Sequence, residues 1–380
     1  MTSTLPQFAY VGSNSRIARA AGEDPTLAGI SVYRVEEASG SLDLVQRLPS
    51  ENPFFFAFHP SGSFAYVVNL INDFDEQSGS VEAYVVDAST GELSFINRQS
   101  TNGSDPCHLA VDPGGRFLTV ANYGGASWVV LPIEPDGSLG AVVHVEPRVG
   151  SGPNTQRQNA SHPHAITYSP DGSFLAGADL GTDLVIVFRL DPGSGRLDTI
   201  GETSLAPGAG PRHVAFNADG TRLYVVNELN ATITLFPFDP ATGAIGAEIQ
   251  TILTVQPEAV GPMTTAEIML HPGGNFLYNS NRGQPASRTP ESDAIVTYSI
   301  DQSTDELTLV GHMTEAIGVP WNFAFNRGGT RMFVPNFDLD TISVYDIDLE
   351  SGALAYTGVR YETPKPFCVV MHPSMDVNRR

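Results

Sequence analysis

The sequence predicts an all-β fold, a seven-bladed β-propeller with four antiparallel strands in each blade. Three observations lead to this prediction: a composition rich in turn residues, a repeat along the whole chain, and two chain ends that complete one another. The 380 residues include 37 Gly and 28 Pro, and only 16% of them are charged. Such a composition favours many short strands joined by turns over long helices.

The repeat is marked by a tight turn that recurs at intervals of about 50 residues, a period typical of propeller blades. Two of these turns are Asp112-Pro-Gly-Gly115 and Asn217-Ala-Asp-Gly220. Pro presets the second turn position and Gly supplies a positive φ, so each turn can join two antiparallel strands. The turn glycines are Gly62, Gly115, Gly172, Gly220, Gly274 and Gly329, and Met375 takes the seventh position.

A second regular feature follows each turn and gives the number of strands. Seven residues beyond every turn glycine stands an Asn or Asp, which we interpret as a side chain that hydrogen-bonds within a turn. A second hairpin then follows, for example over residues 185–197 and 342–354. Each unit therefore contains two hairpins, or four strands. The Asn and Asp residues are Asn69, Asn122, Asp179, Asn227, Asn281 and Asn336.

The two ends of the chain supply the parts of one blade. A strand at residues 367–372 has no further strands after it, while the N-terminus offers three unpartnered segments at residues 8–11, 29–34 and 42–45. One blade built from both ends closes the ring and leaves no open edge across it. We therefore predict a single propeller domain over residues 1–380.

The two faces of the predicted propeller differ in their loops. Turns within hairpins are short and lie on one face, whereas connections between hairpins lie on the other. We expect the second face to be the working face, because functional residues favour loops held by a rigid scaffold. Its long connections span residues 13–28, 70–79, 140–163, 252–265 and 282–293.

The charge of the chain limits its partners. The formal net charge is −22, and Lys365 is the only lysine. Such a surface repels phosphate backbones and anionic membranes, so we expect neither nucleic acid nor a membrane as a partner.

Cysteines and the N-terminus bear on compartment and cofactors. Cys107 and Cys368 are too few for a disulfide framework, and their spacing does not fit a cysteine-based metal site. No basic region followed by an apolar run opens the chain, and no stretch of 18 apolar residues occurs. We expect a cytoplasmic protein without a bound metal.

Candidate site residues are those that break the repeat at the working face. Residues equally far from a hairpin turn are cross-strand neighbours, so the eighth residues before and after each turn glycine should meet there. The earlier positions hold Phe54, Cys107, His164, Arg212, Ala266, Trp321 and Phe367. The later positions hold Leu70, Tyr123, Leu180, Glu228, Arg282 and Phe337.

A purely structural position would carry similar residues in every copy. Three successive blades instead carry ionisable residues there: His164 in the first, Arg212 with Glu228 in the second, and Glu267 with Arg282 in the third. The other blades carry mostly aromatic or apolar residues. Taken singly, each ion pair could be a structural link and His164 a structural histidine. Together they indicate a small-molecule site beside an aromatic wall.

These residues also lie in motifs that resemble a known family. The sequence is similar, over essentially its whole length, to the seven-bladed lactonase family. That family includes propeller-type bacterial 6-phosphogluconolactonases and fungal carboxy-cis,cis-muconate cyclases. The motifs are Ser151-Gly-Pro-Asn-Thr-Gln-Arg-Gln158, His162-Pro-His164, Gly210-Pro-Arg-His213, Asn227-Glu-Leu-Asn230, Ala266-Glu-Ile268 and Ser280-Asn-Arg-Gly283.

The resemblance implies a site without metal or other cofactor, built from one His, two Arg and one Glu. Matched by motif, the catalytic residues are His164, Arg212, Glu228 and Arg282. For lactone hydrolysis, His164 or Glu228 would take a proton from the attacking water. The two arginines would stabilise the oxyanion. As substrate-binding residues we predict Glu267, Arg157, His213, His108 and Trp321.

The resemblance leaves the reaction open between hydrolysis and lactone-forming cyclisation of a muconate-like diacid. In cyclisation the arginines would bind carboxylates, and His164 or Glu228 would deliver a proton to carbon. A third hypothesis is a propeller that binds a protein and catalyses nothing. Because the chain has one lysine and a strongly negative field, an unphosphorylated sugar-acid lactone is favoured over a phosphorylated one.

Overall fold

The computed structural model describes residues 6–22, 27–256, 263–283 and 292–373. Within these ranges the chain forms 28 strands in seven four-stranded antiparallel sheets. The predicted seven-bladed β-propeller is confirmed. A short helix, α1 (Ser15–Ala20), and a 3-10 turn (Asp75–Gln77) are the helical elements of the described residues. None of their helices is long and apolar enough to cross a membrane.

The strands follow the chain around the ring, and each blade is a run of four. The first three strands belong to the closing blade and are β1 (Gln7–Ser13), β2 (Ile30–Val35) and β3 (Leu42–Leu48). Blade 1 comprises β4 (Pro53–Phe58), β5 (Phe64–Phe74), β6 (Ser78–Val86) and β7 (Leu93–Ser100). Blade 2 comprises β8 (Pro106–Val111), β9 (Phe117–Asn122), β10 (Ser127–Pro132) and β11 (His144–Pro147). Blade 3 comprises β12 (Pro163–Tyr168), β13 (Leu175–Asp179), β14 (Leu184–Leu190) and β15 (Leu197–Ser204).

The second half of the ring repeats the same order. Blade 4 comprises β16 (Pro211–Phe216), β17 (Arg222–Asn227), β18 (Thr232–Pro237) and β19 (Gln250–Leu253). Blade 5 comprises β20 (Met263–Leu270), β21 (Phe276–Gly283), β22 (Ala294–Ile300) and β23 (Leu307–Met313). Blade 6 comprises β24 (Ala324–Phe325), β25 (Arg331–Asn336), β26 (Thr341–Ile347) and β27 (Leu354–Glu362). The last strand is β28 (Pro366–Met371).

Ring closure follows the prediction from the two chain ends. The closing blade, blade 7, has the order β28-β1-β2-β3, so the C-terminal strand pairs with the N-terminal one. Gly12 pairs with Cys368 and Tyr10 with Val370. The two chain ends are thus joined by backbone hydrogen bonds rather than left as free edges. Met375, the predicted seventh turn residue, lies outside the described residues.

Adjacent blades are joined by a repeated aromatic contact. A Phe on the second strand of one blade, or immediately before it, packs against the positive-φ turn glycine of the next blade. In several blades a Tyr two residues later donates its hydroxyl to a turn carbonyl. Phe276 and Tyr278 show both, since a Cβ on Gly352 would lie 2.5 Å from Phe276 and Tyr278 Oη is 2.7 Å from the Gly352 oxygen. The Phe–Gly pairs are Phe8–Gly91, Phe64–Gly137, Phe117–Gly195, Phe174–Gly243 and Phe276–Gly352.

The innermost strands carry a β-bulge near their N-terminal ends, and this corrects the predicted register. Pro211 pairs with Asn227 but His213 pairs with Val226, so Arg212 is an extra residue with no ladder partner. The prediction that Arg212 and Glu228 are cross-strand partners is therefore wrong in register. Bulges typically redirect a side chain, and here they occur at equivalent places. The extra residues are Phe54, Cys107, His164, Arg212 and Phe367.

The predicted long connections are only partly loops. Strand β5 continues to Phe74, so most of the expected 70–79 loop is an extended hairpin arm. Connection 13–28 contains α1, and connection 140–163 contains β11. The predicted connections 13–28, 252–265 and 282–293 lie partly outside the described residues.

Substitution at a blade junction should destabilise the ring more than the same change elsewhere. Gly352 and Gly358 have φ values of 75° and 79°, so alanine at either site costs about 1–2 kcal/mol of backbone strain. Only at Gly352 does the added methyl meet the Phe276 ring, whereas at Gly358 nothing lies within 4 Å. Gly352→Ala should therefore lose about 1–3 kcal/mol more than Gly358→Ala in denaturant unfolding. Equal losses would contradict the packing described here.

Candidate active site

A cavity of about 460 Å³ opens on the inner strands at the predicted working face. The bulge residues Phe54, Cys107 and His164 line it, so the redirected inner strands shape its floor. The described residues that line it are Phe54, Leu70, Cys107, Tyr123, Arg157, His164, Glu228, Thr264, Arg282, Gly283, Val319, Trp321, Phe337 and Asp338.

Glu228 lies at the centre of the charged side and contacts three arginines. Its Oε1 is 2.6 Å from Arg157 Nη2. Its Oε2 is 3.1 Å from Arg212 Nε and 3.3 Å from Arg282 Nη2. The carboxylate is 3% exposed, and charge-assisted hydrogen bonds of this kind are the compensation that a buried ion requires.

The three arginines reach Glu228 from different parts of the ring. Arg212 is the bulge residue of β16, and Arg282 is near the end of β21. Arg157 comes from the connection between β11 and β12. That connection is fixed by Gln158, whose side-chain nitrogen donates to Asp183 Oδ1 and to the Leu180 oxygen at 2.7 and 2.9 Å. A loop residue thus completes a site built on strands.

Opposing electrostatic effects set the charge of these groups. Burial alone would raise the pKa of Glu228, but Arg282, Arg157 and Arg212 outweigh it and lower that pKa below its usual value. Burial lowers the pKa of Arg282 to about 10, even though Glu228 opposes the shift. Near neutral pH both groups are therefore ionised, and the carboxylate is a poor proton acceptor.

His164 is the neutral group on the same wall. The pKa of His164 is held well below its ordinary value. Burial has the largest effect, and the nearby Arg212, His213 and Arg282 add to it. Its Nδ1 lies 3.9 Å from Cys107 Sγ, and the Tyr123 ring meets its edge with centroids 5.5 Å apart. A neutral imidazole keeps a lone pair that can accept a proton.

Part of the cavity lining is aromatic. Arg282 lies over the Trp321 ring, with its guanidinium carbon 4.1 Å from the ring centroid. Phe54 meets Trp321 edge to face at 5.9 Å, and Phe337 lies 6.4 Å from the same ring. Stacking on Trp321 both holds Arg282 and gives the cavity an apolar face.

The cavity brings together five of the predicted site residues. His164, Glu228, Arg282, Arg157 and Trp321 all line it. Arg212 is 1% exposed and lies behind Glu228.

The remaining three predicted residues do not line the cavity. His213 and Glu267 form a buried pair behind Arg212, 2.8 Å apart between Nδ1 and Oε1. His108 packs against His213 with ring centroids 5.0 Å apart, and burial lowers the pKa of His108 to about 3.

Nine of the lining residues were not among the predicted site residues, and three of these nine, Tyr123, Thr264 and Asp338, carry a side-chain oxygen. Tyr123 could have been predicted from the sequence, because it occupies one of the positions that differ between blades. Its hydroxyl lies 3.5 Å from Arg157 Nη2. Thr264 lies two residues before Ala266 and Asp338 one residue after Phe337, so neither occupies one of the positions compared between blades. Within the described ranges, no group of three or more His, Cys, Asp or Glu side chains could hold a metal ion.

Comparison with known proteins gives the family. The family model for "Lactonase, 7-bladed beta-propeller" matches residues 8–371. The chain belongs to this family. The resemblance seen in the sequence motifs is therefore confirmed, and it extends over nearly all of the chain.

Relatives within the lactonase family cover most of the chain. A 6-phosphogluconolactonase of Bacillus subtilis is 29% identical over 318 residues, which are 84% of this chain and 86% of the relative. A 6-phosphogluconolactonase of Serratia proteamaculans is 28% identical over 364 residues, or 95% and 97% of the two chains. The solved structure of a periplasmic gluconolactonase from Pseudomonas aeruginosa is 28% identical, with a TM-score of 0.86 over 97% of this chain and 99% of that one.

Removal of the central carboxylate should destabilise the fold. Glu228→Ala leaves three arginines, two of them buried, without their shared anion, and breaking a buried ion pair costs about 3–5 kcal/mol. Glu202→Ala is the matched control, because its partner Arg148 is 2.7 Å away but Glu202 is exposed, and such pairs contribute about 0–1 kcal/mol. Denaturant unfolding of both variants measures the difference. A loss below about 1 kcal/mol for Glu228→Ala would contradict the central role of this residue.

Proposed function

We propose that this lactonase-family protein hydrolyses a sugar-acid lactone in the cavity without a metal ion. The observation that carries the proposal is that neutral His164 and two cations, Arg157 and Arg282, line the same cavity. A proton acceptor and preorganised cations are the two elements that ester hydrolysis requires.

His164 is the proposed general base. Glu228 could fill that role by chemistry, but both of its oxygens already accept hydrogen bonds from guanidinium groups. His164 lines the same cavity and is neutral at physiological pH. We therefore assign proton transfer to His164 and assign Glu228 to holding the arginines in place.

Arg282 and Arg157 are the proposed oxyanion-stabilising groups. Both line the cavity, and Trp321 and Glu228 fix the orientation of Arg282. A preorganised donor aimed at the developing oxyanion contributes about 3 kcal/mol of barrier lowering. Arg212 does not reach the cavity surface, so its proposed role is to position Glu228.

The proposed hydrolysis has two steps. Water attacks the lactone carbonyl carbon while His164 takes one of its protons, and the carbonyl electron pair moves onto the oxygen beside the arginines. The tetrahedral intermediate then collapses, the bond between that carbon and the ring oxygen breaks, and the protonated His164 gives its proton to the leaving oxygen. The product is a hydroxy acid, and its new carboxyl group releases the second proton of the water to solvent, so that a carboxylate faces the arginines.

The proposed substrate is an unphosphorylated sugar-acid lactone. Among the described lining residues the cations are Arg157 and Arg282, and both share Glu228, so neither is an unpaired cation for a phosphate. The relatives include both 6-phosphogluconolactonases and a gluconolactonase. Cytoplasmic localisation stays a prediction, since the gluconolactonase relative is periplasmic.

Cyclisation of a muconate-like diacid is the second candidate. The pair Arg157 and Arg282 would bind carboxylates, and the flat face of Trp321 would contact an unsaturated chain. A panel of aldonolactones followed by acid release, beside a carboxymuconate followed by loss of diene absorbance, separates the two reactions. Acid release from the lactones with no change in the diene absorbance supports hydrolysis.

Substitution of the proposed base and oxyanion donor should remove most activity. We expect His164→Ala and Arg282→Ala each to lower kcat/KM on the preferred lactone by about 100-fold or more. Arg196→Ala is the control and should keep wild-type activity, because Arg196 is exposed and pairs with Asp198 outside the cavity. If either site variant stays within about threefold of wild type, that residue does not act as proposed.

The pH profile should report the neutral state of His164. A histidine with its ordinary pKa of about 6.5 would lose half of its basic form at that pH. Because burial and nearby positive charge lower the pKa of His164, the basic form persists to more acidic pH. kcat/KM should therefore stay level from pH 8 to pH 6 and fall only under clearly acidic conditions. A halving of kcat/KM near pH 6.5 would contradict the assignment.

A further inference from the structure

A buried chain of hydrogen bonds leads away from the cavity behind Glu228. Arg212 donates from Nε to Glu228 Oε2, and its Nη1 lies 2.8 Å from the Ala266 oxygen. The same Nη1 is 3.3 Å from His213 Nε2. The Glu228 carboxylate thus binds one edge of the Arg212 guanidinium, and Ala266 and His213, which are not among the lining residues, contact its end.

His213 also contacts Glu267 through its other ring nitrogen. Its Nδ1 is 2.8 Å from Glu267 Oε1, and Ile268 N donates to the same oxygen at 3.0 Å. The other oxygen, Oε2, accepts from Asn322 Nδ2 at 2.8 Å. Blades 4, 5 and 6 therefore each contribute to one connected network, and every carboxylate oxygen in it has a donor.

The contacts define a single protonation state for His213. A guanidinium can only donate, so Nε2 must accept and carries no hydrogen. A carboxylate can only accept, so Nδ1 must carry the hydrogen. His213 is therefore a neutral ring that bridges a cation and an anion. Neither His213 nor Glu267 is among the residues that line the cavity.

We propose that His213 and Glu267 are positioning residues, which fix the Arg212 guanidinium and through it the carboxylate of Glu228. The proposal rests on the proposed lactone hydrolysis and replaces the expectation that these two residues bind substrate. Their buried network holds Arg212 from the side opposite Glu228, so that Glu228 meets Arg157 and Arg282 in one geometry. A supporting group of this kind affects the transition state more than substrate binding, because small displacements matter most there.

The kinetic test compares His213→Phe with His271→Phe. Phe keeps a ring of similar size and removes both nitrogen contacts. His271 is also buried, with Nε2 2.7 Å from the Gly329 oxygen, but it lies in a turn on the opposite face. We expect His213→Phe to lower kcat at least about tenfold with KM within about threefold, and His271→Phe to change neither constant. A raised KM with unchanged kcat, or no change at all, would overturn the proposal.

A double-mutant cycle tests whether His213 acts through Arg212. In an Arg212→Ala background the network has already lost its link to Glu228, so adding His213→Phe should lower kcat by less than about threefold. Losses that multiply, with about the same factor in both backgrounds, would mean that His213 acts independently of Arg212. Thermal unfolding of each variant verifies folding, and His213→Gln and Glu267→Gln replace His213→Phe if that variant does not fold.

A spectroscopic measurement tests the network without any turnover. In protein labelled with ¹⁵N-histidine, His213 should be a neutral ring protonated at Nδ1 at pH 7. With ¹⁵N-arginine, the Arg212 Nε resonance should shift in Glu267→Gln and stay in place in His271→Phe. A ring protonated at Nε2, or an unmoved Arg212 resonance, overturns the positioning role. If wild type hydrolyses no lactone, the proposed function fails, and these spectra still decide the role of His213 and Glu267.

Discussion

The site depends on one buried carboxylate that neutralises several cations. Arg157, Arg212 and Arg282 come from distant parts of the chain and would repel one another around an uncharged residue. Glu228 compensates for their burial and sets the distance between them. The positive charges of Arg212 and Arg282 add to the effect of burial in keeping His164 neutral, as the direction of its pKa shift indicates. One residue therefore links the stability of the ring to the electrostatics of the cavity.

The propeller explains how such a site can arise without distortion of the fold. A bulge at an equivalent point of the inner strands turns one side chain per blade out of its ladder. In blades 3 to 5 these positions and their neighbours hold charged or ionisable residues, while Trp321, Phe367 and Phe54 follow in blades 6, 7 and 1. The cavity thus has a polar side and an apolar side, which suits a ligand with one polar end.

The fold could be predicted from the sequence because each blade repeats the same turn chemistry. Even the sharing of blade 7 between the chain ends followed from unpartnered strands. Counting from the turn predicted that Arg212 and Glu228 meet. The bulge at Arg212 shifts the register, so their backbones are not cross-strand partners, but their side chains form an ion pair. Counting residues from a turn cannot detect an extra residue in one of the two strands.

Other features depended on contacts between distant segments. Nothing in the spacing of Arg157 placed its guanidinium 2.6 Å from Glu228, because a loop of that length has many conformations until Gln158 fixes it. The separation of Arg282, on the cavity, from His213 and Glu267, behind it, also required side-chain positions. The sequence identified the charged residues of blades 3 to 5, and the structure shows which of them line the cavity and which lie behind it.

The most direct test of this account is a crystal structure of a slow variant, His164→Asn, soaked with the lactone that wild type turns over fastest. The account predicts the lactone carbonyl oxygen within hydrogen-bond distance of Arg282 or Arg157, the ring against Trp321, and the three contacts of Glu228 intact. A lactone bound outside this cavity, or one that displaces Glu228 from its arginines, would contradict it.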